Sequence, residues 1–597
     1  MNRKTLVTLG AMSVASLIQA APISVHVSNY GAVPNDGKDD TVAIRNAIKA
    51  IENNADGGTI QFSAGTYHCA PQTISEGTIF FLRKSNMTLK GAGRDATTLS
   101  MFVYGMRDPD QYFIERKDGK YRVQQVNNWN NDWEFSHRFH GFVFSPPAGQ
   151  NRGELHNVVL RDMRITGNAE PIDNDRWWSK EERVKYWDIS HKGISFGWGS
   201  VALYGVLIEN IEIDHFRGEI IYKGGVAACE AVIRNCKVHG TPSSAISGPA
   251  GIIENCEIYD CYNAAIETYL TNRAEGSTQH LIIRNNSISC GKNYPSWSPR
   301  NGISIANDPN WDGQFTFGNS NVKYNSSAST IEIYNNVIER FAKFGVFTYG
   351  MSNAVVKDNT FRNFYGNAMA LWAYGNNAWG LAPHFENNLI MRNTFEYNHA
   401  EGTPCIMMVS PWLRSGSCLF VRNEITGTGY PRYFLSLSGA SPNVEEDNYT
   451  VMGNSGRVGY SAYGNHWGGN VSRPLESGNY FEVATPHLSK VRLDDNLPVA
   501  DYHAPHSRIY TWEKGMTYGV SKNNNDFDMA VHVGSFPDGY ILQLQLIDNP
   551  DVQPITLPVA WWNDLDEPIV LTNPNQHIFL IKQGDIFRLL GYYEDPD

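Results

Sequence analysis

Positive charge is what the chain is short of: 49 Lys and Arg stand against 61 Asp and Glu, a net charge of −12 over 597 residues. A nonspecific nucleic-acid surface needs the opposite balance, so that class is set aside. A local basic groove can still hide in an acidic total, and polyanionic substrates stay open. Charged residues make up only 18% and hydrophobic ones 42%, the balance of an ordered soluble chain.

Long apolar runs are scarce as well. The stretch from Leu6 to Ile18 follows Arg3 and Lys4, precedes Gln19-Ala20-Ala21-Pro22, and is too short for a stable bilayer span. It reads as a signal peptide over 1–20, cleaved near Ala20, with a secreted product, extracellular or periplasmic, and no membrane partner. Cysteine is sparse too, eight in all, and neither a CxxC nor a His-rich spacing points to zinc.

What the chain does have is a repeated phrase: an apolar pair, a polar residue or two, an Asn or Cys, and one more apolar residue. Copies end at Ile213, Val238, Ile258, Ile288, Ile338, Phe361, Phe395 and Ile425. Such intervals suit one coil of a solenoid with loops of variable length inserted. Cys236 and Cys256 fill the slot that later copies give to Asn286, Asn336, Asn359, Asn393 and Asn423. Neighbouring coils lie about 4.8 Å apart, so the Asn residues should form a ladder along the axis. The Cys pair joins it as an apolar substitute or, at that separation, as a disulfide, the reduced stack being favoured.

At the start, Asn29-Tyr30-Gly31-Ala32 and Asn35-Asp36-Gly37 precede Ala43, Ile44, Ala47, Ile48 and Ile51 on one helical face, with Asp40 or Thr41 as N-cap. Gly57 to Phe62 and Ala64 to Tyr67 then read as strand and turn. This combination resembles the N-terminal signature of the pectate-lyase-like right-handed parallel β-helix proteins, in which a short helix caps the first coil. The resemblance extends over the coils to about residue 480. It implies an all-β fold, a right-handed parallel β-helix with an N-terminal capping helix over 21–504, and a carbohydrate-active function. The pattern changes afterwards to short strands such as Ile541 to Leu546, which predicts a small C-terminal all-β domain over 505–597.

Each coil carries a second strand, and alternation places Ile220, Ile246, Ile266, Ile303, Val346, Met369 and Ile406 inside with the following residue outside. Glu267 projects from that outer row midway along the axis, with Tyr269 beyond it on the same face. Lys223, Glu219 and Asp308 belong to neighbouring coils. Paired carboxylates can cleave a glycosidic bond, one as general acid and the other as base or nucleophile. A solvated Glu on a strand face is the plainer account of any one of them. Tyr349, Trp372, Trp412 with Arg414, and Trp311 supply flat rings for sugar subsites, against the alternative of loop packing. Long insertions at roughly 103–139, 168–191 and 289–327 hold further Trp residues and suit a binding wall.

Asp308, Asn310 and Asp312 before Gly313 match the first half of a calcium loop, although Asn319 stands where a bidentate Glu would. An ordinary Asp/Asn/Gly turn explains them equally simply, and no cofactor is required by the reading. His191, Lys192, His215 and His239 lie near strand starts and are reserve bases, with no metal spacing.

Together these residues point to a secreted glycoside hydrolase acting on a polysaccharide, Glu267 paired with Asp308 or Glu219. The alternatives are a lyase using Lys223 or a His as base and Tyr269 as donor on a uronate polymer, and a non-catalytic binding solenoid. An outer row poor in Arg and Lys favours hydrolysis. The Asn-Thr-Asp, Asp-Asp, Gly-His-Gly and Arg-Ile-Lys segments of the polygalacturonase group are missing from the coils. So is the Asp-Pro-His-Glu of the alginate-epimerase group, which Asn307-Asp308-Pro309-Asn310 only echoes.

Overall fold

The computed structural model describes residues 21–72, 77–101, 114–117, 120–123, 139–168, 191–198, 201–224, 229–248, 250–269, 280–291, 301–306, 330–349, 351–372, 385–399, 403–409, 418–438, 449–459, 475–483, 491–492, 517–520, 541–546, 555–557, 569–571, 576–583 and 586–594. Within them the chain is a right-handed parallel β-helix. Strands of successive coils pair in parallel in a 27-stranded sheet and an 11-stranded sheet.

The capping helix spans Thr41–Glu52 and buries Ile44, Ala47, Ile48 and Ile51, the face its spacing predicts. Its N-cap is Asp40, one of the two expected residues, but the bonding differs. Asp40 holds the N-cap position without a side-chain cap bond; its carboxylate accepts instead from the backbone N–H of Val33 and of His68, tying the helix to the first coil. Asp39 does the capping, its Oδ1 accepting from the Thr41 N–H at 3.0 Å and hydroxyl at 2.6 Å.

One coil shows the plan: a strand at Cys229–Arg234, a two-residue turn, a strand at Lys237–Thr241, and a short strand of the 11-stranded sheet at Ile246–Ser247. The turn is written in two columns of residues. Asp162, Asn210, Asn235, Asn255, Asn285, Asn335, Asp358, Arg392 and Arg422 all have φ between 49° and 58°, a left-handed conformation that Asn and Asp tolerate best. Arg392 pairs with Asp358 in the coil before it, at 2.7 and 2.8 Å.

The next residue of each turn points inward and forms the ladder. It runs from Asn286 to Asn423 as expected and continues through Asn454 and Asn479. Each backbone N–H from Asn286 to Asn454 donates to the next Oδ1 at 2.8–3.1 Å, and each amide Nδ2 reaches the same oxygen at 2.9–3.0 Å. Burial without such partners would be costly, so the ladder holds the turn closed. In earlier coils the slot is apolar, Met163 aligning with Ile211 ahead of Cys236 and Cys256. All eight cysteines are reduced and buried. The Cys236 and Cys256 thiols donate to Ile208 O and Ile233 O at 3.6 Å, carbonyls equivalent to the Ile253 O that the Asn286 amide takes. Burial pushes the Cys256 thiol up.

Coils persist to Tyr480–Val483. The later strands Thr517–Val520, Ile541–Leu546, Gln576–Gln583 and Ile586–Glu594 make a four-stranded sheet. Phe579 from this sheet is fully buried against Val355, Leu389, Met391, Leu419 and Val421 on the outer face of the 27-stranded sheet. No helix among the described residues is long and apolar enough to cross a membrane.

Candidate active site

Long connections cluster around the 11-stranded sheet. Segments 102–138, 169–190 and 292–300 lead into its strands, and 270–279, 307–329, 373–384 and 410–417 leave them. The turn between the other two strands of a coil is two residues long. The strands of the 11-stranded sheet are thus flanked in sequence by long connections, the kind that can build walls.

Its inner row includes Phe142, Ile194, Ile221, Ile246, Ile266, Ile303, Val346 and Met369. The coil with Ile221 departs from expectation by one residue. Ile221, not Ile220, pairs with Ile246, and Tyr222 faces the position of Ser247. Ile220 is also buried, so two adjacent apolar residues made the alternation ambiguous, and a one-residue slip changes the face. Lys223 consequently falls outside the row of Glu267. The outer row reads Phe81, Val143, Ser195, Tyr222, Ser247, Glu267, Ser304, Phe347, Ala370, Met407 and Ser436. Glu267 is the one charged side chain in it.

Two neighbours fix that carboxylate. The buried Ser244 hydroxyl donates to Oε2 at 2.6 Å, and the Asn263 amide donates to the same oxygen at 3.3 Å and to Ser244 Oγ at 3.0 Å. Sequence reading missed both because they sit in turns, not in the alternating strands. Glu219 pairs with the buried Lys192, whose Nζ also lies 3.8 Å from the centre of the Tyr222 ring. Lys192 is therefore engaged and enclosed, which removes it as a reserve base. His191 is buried as well, and desolvation, aided by the Arg217 charge, pushes its imidazole down to about 3. It is a neutral core group packed on Phe216, not a surface base.

Backbone register sets Tyr269 opposite Ala306 and Tyr349 opposite Trp372, two residues beyond the Glu267 row. Asp308, Asn310, Trp311, Asp312, Trp412 and Arg414 lie outside the described residues. A second ionisable cluster does emerge, on the other sheet: Glu212, Asp214, His215 and His239. Sequence spacing gave no metal pattern for these histidines because coil stacking, not chain proximity, assembles the group.

Residues 24–267 match the model of the family described as Rhamnogalacturonase A/epimerase, pectate lyase-like. Over these residues the chain is pectate-lyase-like. This pectate-lyase-like segment runs from the first strand to Glu267 itself. Solved structures similar to the chain include a mannuronan C-5 epimerase A-module from Azotobacter vinelandii (17% identity, 76% of this chain and 98% of that one, TM-score 0.44). Others are the surface adhesin PfbA of Streptococcus pneumoniae (16%, 79% and 94%, TM-score 0.41) and an exopolygalacturonase from Thermotoga maritima (14%, 78% and 91%, TM-score 0.39). No curated protein matches the sequence.

Proposed function

We propose that the protein is an exported glycoside hydrolase that cleaves a polysaccharide lying across the 11-stranded sheet. The observation that supports this reading is Glu267: mid-axis, the one charged residue of its outer row, with Oε2 held by Ser244 and Asn263.

Glu219 is the partner. It is held in place by its ion pair with Lys192, and a carboxylate is the form that activates water. Glu267 is level with Tyr222 two strands away, and Glu219 lies three residues before Tyr222 in that coil. Glu267 then protonates the leaving oxygen while Glu219 takes the proton of the attacking water. Tyr349 and Trp372, with Trp311, Trp412 and Arg414 from the bracketing segments, supply sugar subsites. The outer row itself carries no Arg or Lys to pair with a uronate carboxylate, which favours hydrolysis over β-elimination.

The test is a panel of neutral, uronate-containing and sulfated polysaccharides, with reducing ends and ultraviolet-absorbing unsaturated ends recorded together. Reducing ends alone mean hydrolysis. Unsaturated ends mean a lyase, and binding without either means a binding solenoid.

A further inference from the structure

Two successive coils of the 27-stranded sheet bring two carboxylates and two imidazoles to one place, and the coil before them adds Arg164. Register pairs Asp214 with His239 and Arg164 with Glu212. His239 Nε2 lies 3.2 Å from Glu212 Oε1, and one donor atom each from Glu212, Asp214 and His239 fall within 4.8 Å of one another. Asp214 is fully buried, and the His239 and Glu212 side chains are 12% and 20% exposed.

We infer that Glu212, Asp214 and His239 form a binding site for a divalent transition metal of the zinc type. Zinc bonds of about 2.0–2.1 Å to nitrogen and oxygen place tetrahedral ligands about 3.4 Å apart. The separation of His239 Nε2 and Glu212 Oε1 is already close to that edge. The site is supported from outside. Arg164 Nε donates to Asp214 Oδ2 at 2.7 Å, and His215 Nδ1 lies 2.5 Å from Oδ1. Thr166 also hydrogen-bonds the Asp214 carboxylate, and with about four lone-pair sites a carboxylate that accepts these three keeps one for coordination. Hydrogen-bonded carboxylates of this kind orient metal ligands. Tyr259 stacks on the His239 ring, centroids 4.4 Å apart and planes 10° apart, fixing its orientation.

The donor set also selects among ions. Calcium takes six to eight oxygens, whereas three protein donors including an imidazole suit zinc with water in the remaining position. Arg164 Nε, 3.7 Å from Glu212 Oε1 and 2.7 Å from Asp214 Oδ2, offsets the repulsion between the two carboxylates. The cluster lies on a different sheet from Glu267, so it stands independently of the hydrolase reading.

The experiment uses the full chain stripped with a chelator and titrated with zinc sulfate and, separately, calcium chloride by calorimetry. Cobalt(II) absorption serves as a spectroscopic readout. We expect one equivalent of zinc that His239→Ala weakens at least tenfold, visible cobalt bands that the variant loses, and no calcium uptake at this site. Glu212→Gln, nearly isosteric, is the second variant if His239→Ala misfolds by circular dichroism, and it should weaken zinc at least tenfold too. No zinc binding by the wild type, or binding that a folded variant leaves unchanged, overturns the proposal.

Discussion

Ser244 Oγ lies 2.6 Å from Oε2 of Glu267, although 23 residues separate them. Ser244 belongs to the turn that closes one coil, and Glu267 to the strand of the next. If this contact orients the acid, Ser244→Ala should lower kcat while leaving KM and the circular dichroism spectrum near those of the wild type. Removing a positioning hydrogen bond costs on the order of 1 kcal/mol, several-fold in rate. A change in KM alone would assign Ser244 to substrate binding instead.

The ladder makes a sharper claim about stability. Asn393 accepts from the Asn359 backbone and amide and donates to Val356 O. Each buried group left unsatisfied costs about 1–3 kcal/mol, so Asn393→Ala should lower the unfolding free energy by about 3 kcal/mol or more. Cys256→Val should cost under about 1.5 kcal/mol, as volume-conserving apolar swaps do, because Met163 and Ile211 occupy the same slot. Urea unfolding of the two variants compares them directly.

Much of this was legible beforehand. The Asn phrase disclosed the coils, and the alternation disclosed Glu267, because both depend on neighbours a fixed few residues apart. The coil at Ile220 and Ile221 was misread for a physical reason: two adjacent apolar residues satisfy either register. Ser244, Asn263 and the Glu212 cluster were hidden because their contacts are set by the lengths of intervening loops, which no local pattern encodes. The Phe579 contact was hidden in the same way.

Phe579 yields a prediction of its own. It covers Val355, Leu389 and Leu419, and truncating a buried Phe costs about 3–5 kcal/mol. Phe579→Ala should therefore raise hydrogen exchange in residues 576–583 while the coils stay protected. Unchanged exchange there would show that the contact contributes little.

His191 gives a pH dependence. Its imidazole is pushed down to about 3 in the fold from an ordinary value near 6.5, so below pH about 6.5 the unfolded chain binds a proton that the native state refuses. This contribution is whole above that value and is lost as the pH falls toward 3. His191→Phe, which keeps a ring against Phe216, should lose less stability than the wild type between pH 7.5 and pH 5. Equal losses in urea unfolding would contradict the assignment.

The central claim is that Glu267 is a catalytic acid on the open sheet. The direct measurement is the rate of reducing-end release by the wild type and Glu267→Gln from whichever polysaccharide of the panel is cleaved, with unsaturated ends followed in parallel. We predict reducing ends without unsaturation, and a kcat about 10²–10⁴-fold lower in a folded variant. Full activity in Glu267→Gln, or unsaturated ends from the wild type, would contradict it.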